Sequence, residues 1–402
     1  MKRLILTNQH VDNRGDESAT IGAVRSLRKN FGQDTAITAY LQSGTKYKFL
    51  PDSYAVDGKA MIIAPLGILE MLGWVLFKLI HIDIRRLCSR RFREFIATHE
   101  QADIVISSCG GPYIGDIYIN HEFIHLLHLA VPLLLNKKTV FYAPSMGPFH
   151  NPLMNFFRRI ILKKVGLIIL RDSISFNYVK EFLPGQTNIY LTTDACLADD
   201  LELEGIQKQP DTIGITPLDY KYPLADDKIT MKANYEKAIA GVLDQLMEQN
   251  KALRVEFFPQ LFAKHSDVPY INKIIGMLKY PQRAFVFSDQ KSGRDQQFEI
   301  ASLDFMIATR YHSAIFACKV NTPVVCIAYE HKLVAFMESA NLSEYCLDIY
   351  KLDQAILLEK IASIEENAQE IKNNLPPVMK RLNTLSNKTA ELIYSYAKES
   401  GN

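Results

Sequence analysis

Arg310 and His312 stand two positions apart inside the stretch Leu303 to Tyr329, LDFMIATRYHSAIFACKVNTPVVCIAY. The guanidinium is a planar fork suited to carboxylate or phosphate, and the imidazole can move a proton near neutral pH. Read against that chemistry, the plainer alternative is a pair of residues capping an ordinary helix. A second arginine, Arg171, follows the apolar run Leu167 to Leu170 and opens Arg171-Asp172-Ser173. A third constellation, His121-Glu122-Phe123-Ile124-His125, spells H-E-x-x-H. On a helix His121 and His125 share a face, as zinc ligands do, with Glu122 as base. The continuation LLHLAVP lacks the metzincin pattern and supplies no third ligand, so two helix histidines is the favoured reading and no metal is expected.

The elements around these residues alternate. Phe305 to Ala308 has strand length, Ala314 to Cys318 reads as helix, and Val324 to Ala328 reads as the next buried strand. Arg310 and His312 therefore lie at the carboxyl end of a strand and the start of a helix. Open α/β sheets bind ligands there, because free N–H groups and the helix dipole favour an anion. Arg171 repeats that placement. Earlier, Arg3 to Thr7 is a strand, Asn8 to Asp16 a polar turn, and Glu17 to Phe31 a helix by its apolar spacing. The G-x-G-x-x-G fingerprint is absent, which disfavours a dinucleotide. Asp103 to Ser107 is a strand running into a loop with Gly110 and Gly111, whose backbone N–H groups can approach a ligand closely. The alternation starts afresh at Thr212 to Thr216, after an acidic and polar segment at 199–211 that reads as a linker.

With 402 residues, two domains of about 200 each are the simplest division. The expected fold class is α/β, with two Rossmann-like parallel-sheet domains facing across a cleft in the GT-B layout. Residues 1–200 form one domain, 212–375 the second, and 376–402 a closing helix. A net charge of +2 gives no reason to expect nucleic acid. Residues 1–200 hold 23 Lys/Arg against 18 Asp/Glu, a mild basicity that suits an anionic surface. Six scattered cysteines (88, 109, 196, 318, 326, 346) with no C-x-x-C favour reduced thiols and a cytoplasmic location. The amino terminus lacks the apolar length of a signal peptide. Residues 60–82 are the most apolar stretch, interrupted by Pro65, Glu70 and Lys78 and followed by arginines at 85, 86, 90, 91 and 93. A spanning helix is therefore not expected. The segment 60–93 is either a core helix pair or a peripheral face for an anionic membrane.

Taken in order, NRGDES (13–18), SSCGGPYIGD (107–116), APSMGPF (143–149), LRDSIS (170–175), TDACL (193–197), TRYHSAIFA (309–317) and NTPVVCIAYEHK (321–332) resemble the polysaccharide pyruvyl transferase family. Cys109 departs from a usual glycine, and Ala195-Cys196 from a usual proline and small residue. The resemblance implies transfer of the carboxyvinyl unit of phosphoenolpyruvate to a sugar, free or lipid-linked, of a bacterial-type surface polysaccharide, closing a pyruvate ketal. It implies substrate binding by Arg171, Arg310, Tyr311, Gly110, Gly111, Ser145 and Lys332. His312 is then the acid that protonates the methylene carbon, and Asp16 or Glu17 the base. The scheme calls for no cofactor and no nucleotide. Two other classes share the architecture: a GT-B glycosyltransferase using a nucleotide sugar, and a non-catalytic sugar- or lipid-carrier-binding protein.

Overall fold

The structure, a computed structural model, describes residues 2–107 and 114–399, with side chains at 118–120 excepted. The chain divides into two compact units. The first comprises residues 1–11, 16–199 and 383–402, and the second residues 12–15 and 200–382. Neither unit is continuous in sequence. No described helix is long and apolar enough to cross a membrane.

The first unit is built on a seven-stranded parallel sheet. In chain order its elements are β1 (Arg3–Gln9), α1 (Arg14–Phe31), β2 (Ala36–Leu41), β3 (Val56–Ala60), α2 (Pro65–Leu79), α3 (Arg90–Glu100), β4 (Ile104–Ser107), α4 (Ile119–Leu134), β5 (Lys138–Tyr142), α5 (Pro152–Leu162), β6 (Leu167–Leu170), α6 (Ser173–Phe182) and β7 (Ile189–Leu191). The strand order is β3-β2-β1-β4-β5-β6-β7, so direction of winding reverses between β1 and β4. The central strands β4, β5 and β6 are buried almost throughout, as strands covered by helices on both faces must be.

The second unit repeats the plan with six parallel strands. Its elements are β8 (Thr212–Thr216), α7 (Lys228–Gln249), β9 (Arg254–Phe257), α8 (Val268–Ile275), β10 (Ala284–Val286), α9 (Gly293–Ser302), β11 (Met306–Ala308), α10 (Tyr311–Lys319), β12 (Val324–Ala328), α11 (His331–Ser339), β13 (Cys346–Asp348), α12 (Gln354–Glu366) and α13 (Ala368–Lys398). The order β10-β9-β8-β11-β12-β13 puts the reversal between β8 and β11. Parallel neighbours need a crossover connection, and in this unit each strand is followed by a helix that supplies it.

Three local features differ from the sequence reading. β3, Val-Asp-Gly-Lys-Ala, has no apolar alternation and pairs with β2 as an edge strand. Pro376 and Pro377 interrupt the helical pattern, yet α13 runs through them for 31 residues. Its residues up to Leu382 group with the second unit and those from Asn383 with the first. Finally, residues 12–15 belong to the second unit although the helix they open belongs mainly to the first.

Candidate active site

In the second unit, Arg310 is the N-cap of α10, at the end of β11 and beside the winding reversal. The turn is held from below. The Thr309 hydroxyl lies 2.9 Å from the Tyr235 hydroxyl, which accepts the Leu218 backbone N–H at 3.2 Å. Burial pushes the Tyr235 phenol up to about 12, so it stays protonated and serves as scaffold. Ser313 donates to the Arg310 carbonyl at 2.7 Å and lies 2.7 Å from Thr216 at the end of β8. Both strands flanking the reversal are thereby tied to the α10 N-terminus.

The side chains on that turn diverge in role. Arg310 donates to Asp267, and the other carboxylate oxygen of Asp267 accepts the Gln260 and Leu261 N–H groups at 2.9 Å each. The Arg310 Nε is buried with no hydrogen-bond partner among the described residues. One edge of the fork is thus spent on Asp267, and the guanidinium is held in place. His312 is buried at 7% exposure between Tyr311 and Phe316. Its ring also packs on Gly15: a Cβ there would stand 2.1 Å from both Cγ and Nδ1 of His312. Only a residue without a side chain allows that approach. Lys332 reaches the Glu330 carboxylate at 2.7 Å and stands 5.9 Å above the Tyr311 ring. Arg310, Tyr311, His312 and Lys332 are therefore gathered at the amino ends of α10 and α11.

Residues 12–15 are clasped firmly to this unit. The Arg14 guanidinium, fully buried, donates to three carbonyls, those of Pro259 (2.8 Å), Lys291 (2.9 Å) and Ser288 (3.2 Å). Asn13 bridges Leu261, and the Arg14 N–H donates to Gln260 O at 3.1 Å. This clasp holds Gly15 on the histidine.

The first unit carries its own polar cluster at the carboxyl ends of β5, β6 and β7. Arg171 donates through Nε to the Ser145 hydroxyl (2.8 Å) and through a terminal nitrogen to Asp194 (2.7 Å). The Ser145 hydroxyl donates to Asp172 at 2.6 Å, and Asp172 caps α6 by accepting the Ser175 N–H at 2.7 Å. The network is buried, with the Arg171 side chain 4% exposed and that of Asp194 fully enclosed. Glu17 accepts the Lys48 and Phe49 N–H groups at 2.9 and 3.3 Å, and Asp16 sits in the first turn of α1. Gly110 and Gly111 lie outside the described residues, as does Cys109.

The H-E-x-x-H segment is placed on α4, but Glu122 has another employment. Its two oxygens accept both Nε and a terminal nitrogen of Arg158 at 2.7 Å each, and the pair is fully buried. Glu122 also takes the Gly115 N–H at 2.9 Å. A carboxylate with both oxygens spent on a buried arginine is anchored, so the base role the pattern suggests does not fit it. His125 lies 3.1 Å from the Gln42 amide and packs edge-on to His10 at 6.0 Å. Burial, with His125 and His121 adding to it, holds His10 well below the ordinary histidine range.

The matching of motif to position decides the family. Residues 13–331, four-fifths of the chain, match the polysaccharide pyruvyl transferase family. This chain belongs to it. Amylovoran biosynthesis protein AmsJ of Erwinia amylovora is 23% identical over 429 residues, covering 98% of this chain and all of that one. A putative UDP-N-acetylglucosamine 2-epimerase of Listeria monocytogenes superposes with a TM-score of 0.64 at 11% identity, covering 100% of this chain and 98% of that one. Anabaena HepE, solved with UDP-glucose, gives 0.60 at 13% identity over 98% and 100%. At such identities the likeness is one of fold, and the fold is of the GT-B type. As a member of that family the chain is a transferase.

Sequence reasoning named Arg310, Tyr311, His312 and Lys332, which the structure gathers in one unit. It missed Gly15 as the seat of His312, although the glycine sits inside NRGDES. It also missed Asp267, which is 43 residues from Arg310 and carries no local signal.

Proposed function

We propose that the protein transfers the carboxyvinyl unit of phosphoenolpyruvate to a sugar of a surface polysaccharide or its precursor, free or lipid-linked, and closes a pyruvate ketal. The observation carrying this reading is a fixed guanidinium and an adjacent buried imidazole at the winding reversal of the second sheet. Phosphoenolpyruvate is a small trianion, and Arg310, Lys332 and the positive end of the α10 dipole suit it. His312 donates a proton to the methylene carbon, which makes the neighbouring carbon electrophilic. A sugar hydroxyl oxygen bonds to that carbon and yields its proton to a base. A second hydroxyl oxygen then bonds to the same carbon as the bond to phosphate breaks, its proton passes to the now neutral His312, and inorganic phosphate leaves as the ring closes.

Asp16 suits the base role better than Glu17, because two backbone N–H groups already occupy a Glu17 carboxylate oxygen. Arg171, neutralised by Asp194, acts in this scheme by ordering Ser145 and the 143–148 loop for the acceptor. We place the reaction in the cytoplasm, a setting that suits the buried thiols of Cys88, Cys196, Cys318 and Cys326. The scheme uses no cofactor.

The test is a ligand screen followed by turnover. Phosphoenolpyruvate should raise the melting temperature, and phosphate release in the presence of acceptor glycan should follow. His312→Gln should keep donor binding and lose about 100-fold in turnover, as loss of a general acid does. Stabilisation by UDP-sugars and not by phosphoenolpyruvate would replace this reading with nucleotide-sugar transfer.

A further inference from the structure

The helix α2 is apolar on both sides. Its inner side, with Met71, Trp74 and Val75, is packed into a core cluster with Phe92 and Phe95. Its outer side has no cover: Leu66 is 79% exposed, Leu69 64%, Leu76 56% and Leu79 54%. The chain beyond continues the pattern with Ile80 and Leu87, at 63% and 85%. On α5 the same holds for Leu153 (70%) and Phe156 (62%). Between α2, α4 and α5 runs a groove of about 400 Å³, lined by residues such as Leu72, Phe123, Leu133, Phe157 and Ile160, with Lys164 its one charged residue. Monomeric proteins rarely leave so contiguous an apolar surface to water, and those that do use it for docking.

Charge selects the occupant. α5 contains no acidic residue, and Arg159, Lys163 and Lys164 on it or just beyond it are exposed. Arg86, beside Leu87, is exposed as well. The acids near the face are already engaged. Asp83 is taken by Arg85 and Lys78, and Glu70 by the hydroxyl of Ser89. The remaining balance around the apolar surface is cationic. A second copy of the same face would set cation against cation, whereas an anionic leaflet offers hydrocarbon for the leucines and phosphates for the lysines and arginines. At 15 residues α2 extends about 22 Å, too short to span a bilayer but long enough to lie along one.

We propose that the outward face of α2 and α5 is a docking surface for an anionic membrane leaflet, with apolar side chains inserted and the cations of α5 at the headgroups. The surface lies wholly within the first unit, and its test uses no substrate, so it stands or falls independently of pyruvyl transfer. The full-length protein is floated with phosphatidylcholine vesicles with or without phosphatidylglycerol, at low and at high salt. Two double variants are run beside it, Leu76→Glu with Phe156→Glu, and Lys163→Gln with Lys164→Gln. All four positions are exposed, and unchanged melting temperatures will confirm that the variants fold. Binding to the anionic vesicles should be at least tenfold stronger than to neutral ones. It should fall by a similar factor in either double variant, and weaken as salt rises from about 0.05 to about 0.5 M. Absence of binding at low salt, or binding unchanged in the Leu76→Glu, Phe156→Glu protein, would overturn the proposal. So would a lipid-free dimer that the same substitutions dissociate without any vesicle binding, since the face would then be an interface between copies.

Discussion

Replacing Gly15 with Ala tests whether the His312 ring is held where the geometry puts it. The added methyl would stand 2.1 Å from two ring atoms and 2.4 Å from the histidine Cβ. Carbon contacts settle near 3.5–4 Å, so the ring must move by more than ~1 Å or the 12–15 clasp must open. Overpacking of this kind costs about 1–3 kcal/mol. Against it stands a gain of up to ~1 kcal/mol, because alanine favours a helix over glycine and Gly15 is the second residue of α1. The helix term cancels in a double-mutant cycle. With His312→Gly in the background all three clashing atoms are gone and the space is open, and Gly15→Ala should then be neutral or slightly stabilising. Thermal denaturation of the four proteins should give a coupling of about 1–3 kcal/mol. In the single variant, a ~1 Å displacement of a proton donor should cost on the order of 100-fold in phosphate release from phosphoenolpyruvate. A coupling below ~0.5 kcal/mol would show that Gly15 does not seat the histidine, and the placement argued for His312 would fail.

Arg310→Ala should weaken phosphoenolpyruvate binding by about 2–4 kcal/mol in calorimetric titration, with Arg310→Lys restoring only part, because a fixed bidentate fork is lost. Unchanged affinity in both would remove Arg310 from the donor site. Arg158→Leu should lower stability by about 3–5 kcal/mol, since it strands the buried Glu122 anion, and adding Glu122→Gln should return much of that loss. A single variant as stable as the parent protein would refute the anchoring role. Acid should weaken the first unit through His99 and His128. Burial lowers each to about 4, against backbone carbonyl bonds that pull the other way. Both are neutral in the fold, and the unfolded chain takes up the protons first. Stability is therefore intact above pH ~6.5 and drains away between ~6.5 and ~4, by about 3 kcal/mol for each histidine. Urea midpoints at pH 7 and 5 should differ less in a His99→Phe, His128→Phe protein than in the parent.

Features set by neighbours in sequence were readable from the sequence alone. The strand, the arginine, the histidine and the following helix lie within about a dozen residues, so periodicity and turn chemistry place them together. Glu122 was not readable in the same way. Its H-E-x-x-H spacing is local, but what fixes its function is Arg158, 36 residues on and on another helix. The same holds for Arg171, whose charge looks available until Asp194 and Ser145 are brought to it. β3 was invisible because an edge strand need not alternate, and α13 because Pro376-Pro377 ordinarily ends a helix. Above all, the attachment of residues 12–15 to partners near 260 and 290 has no signature in any window of sequence.

The tail of α13 bears on how the protein comes off the ribosome. Ser386 donates to the Asp194 carbonyl at 2.7 Å, the Thr389 hydroxyl lies 2.8 Å from that of Thr192, and the Lys138 ammonium reaches the Tyr396 carbonyl at 3.0 Å. These are groups of the first unit met by residues synthesised after the second unit. Domains ordinarily fold as they emerge, amino-terminal first. Here a sheet translated before the second unit waits for helical turns translated after it before its polar edge is closed. A nascent chain must carry that edge open through the synthesis of the whole second unit.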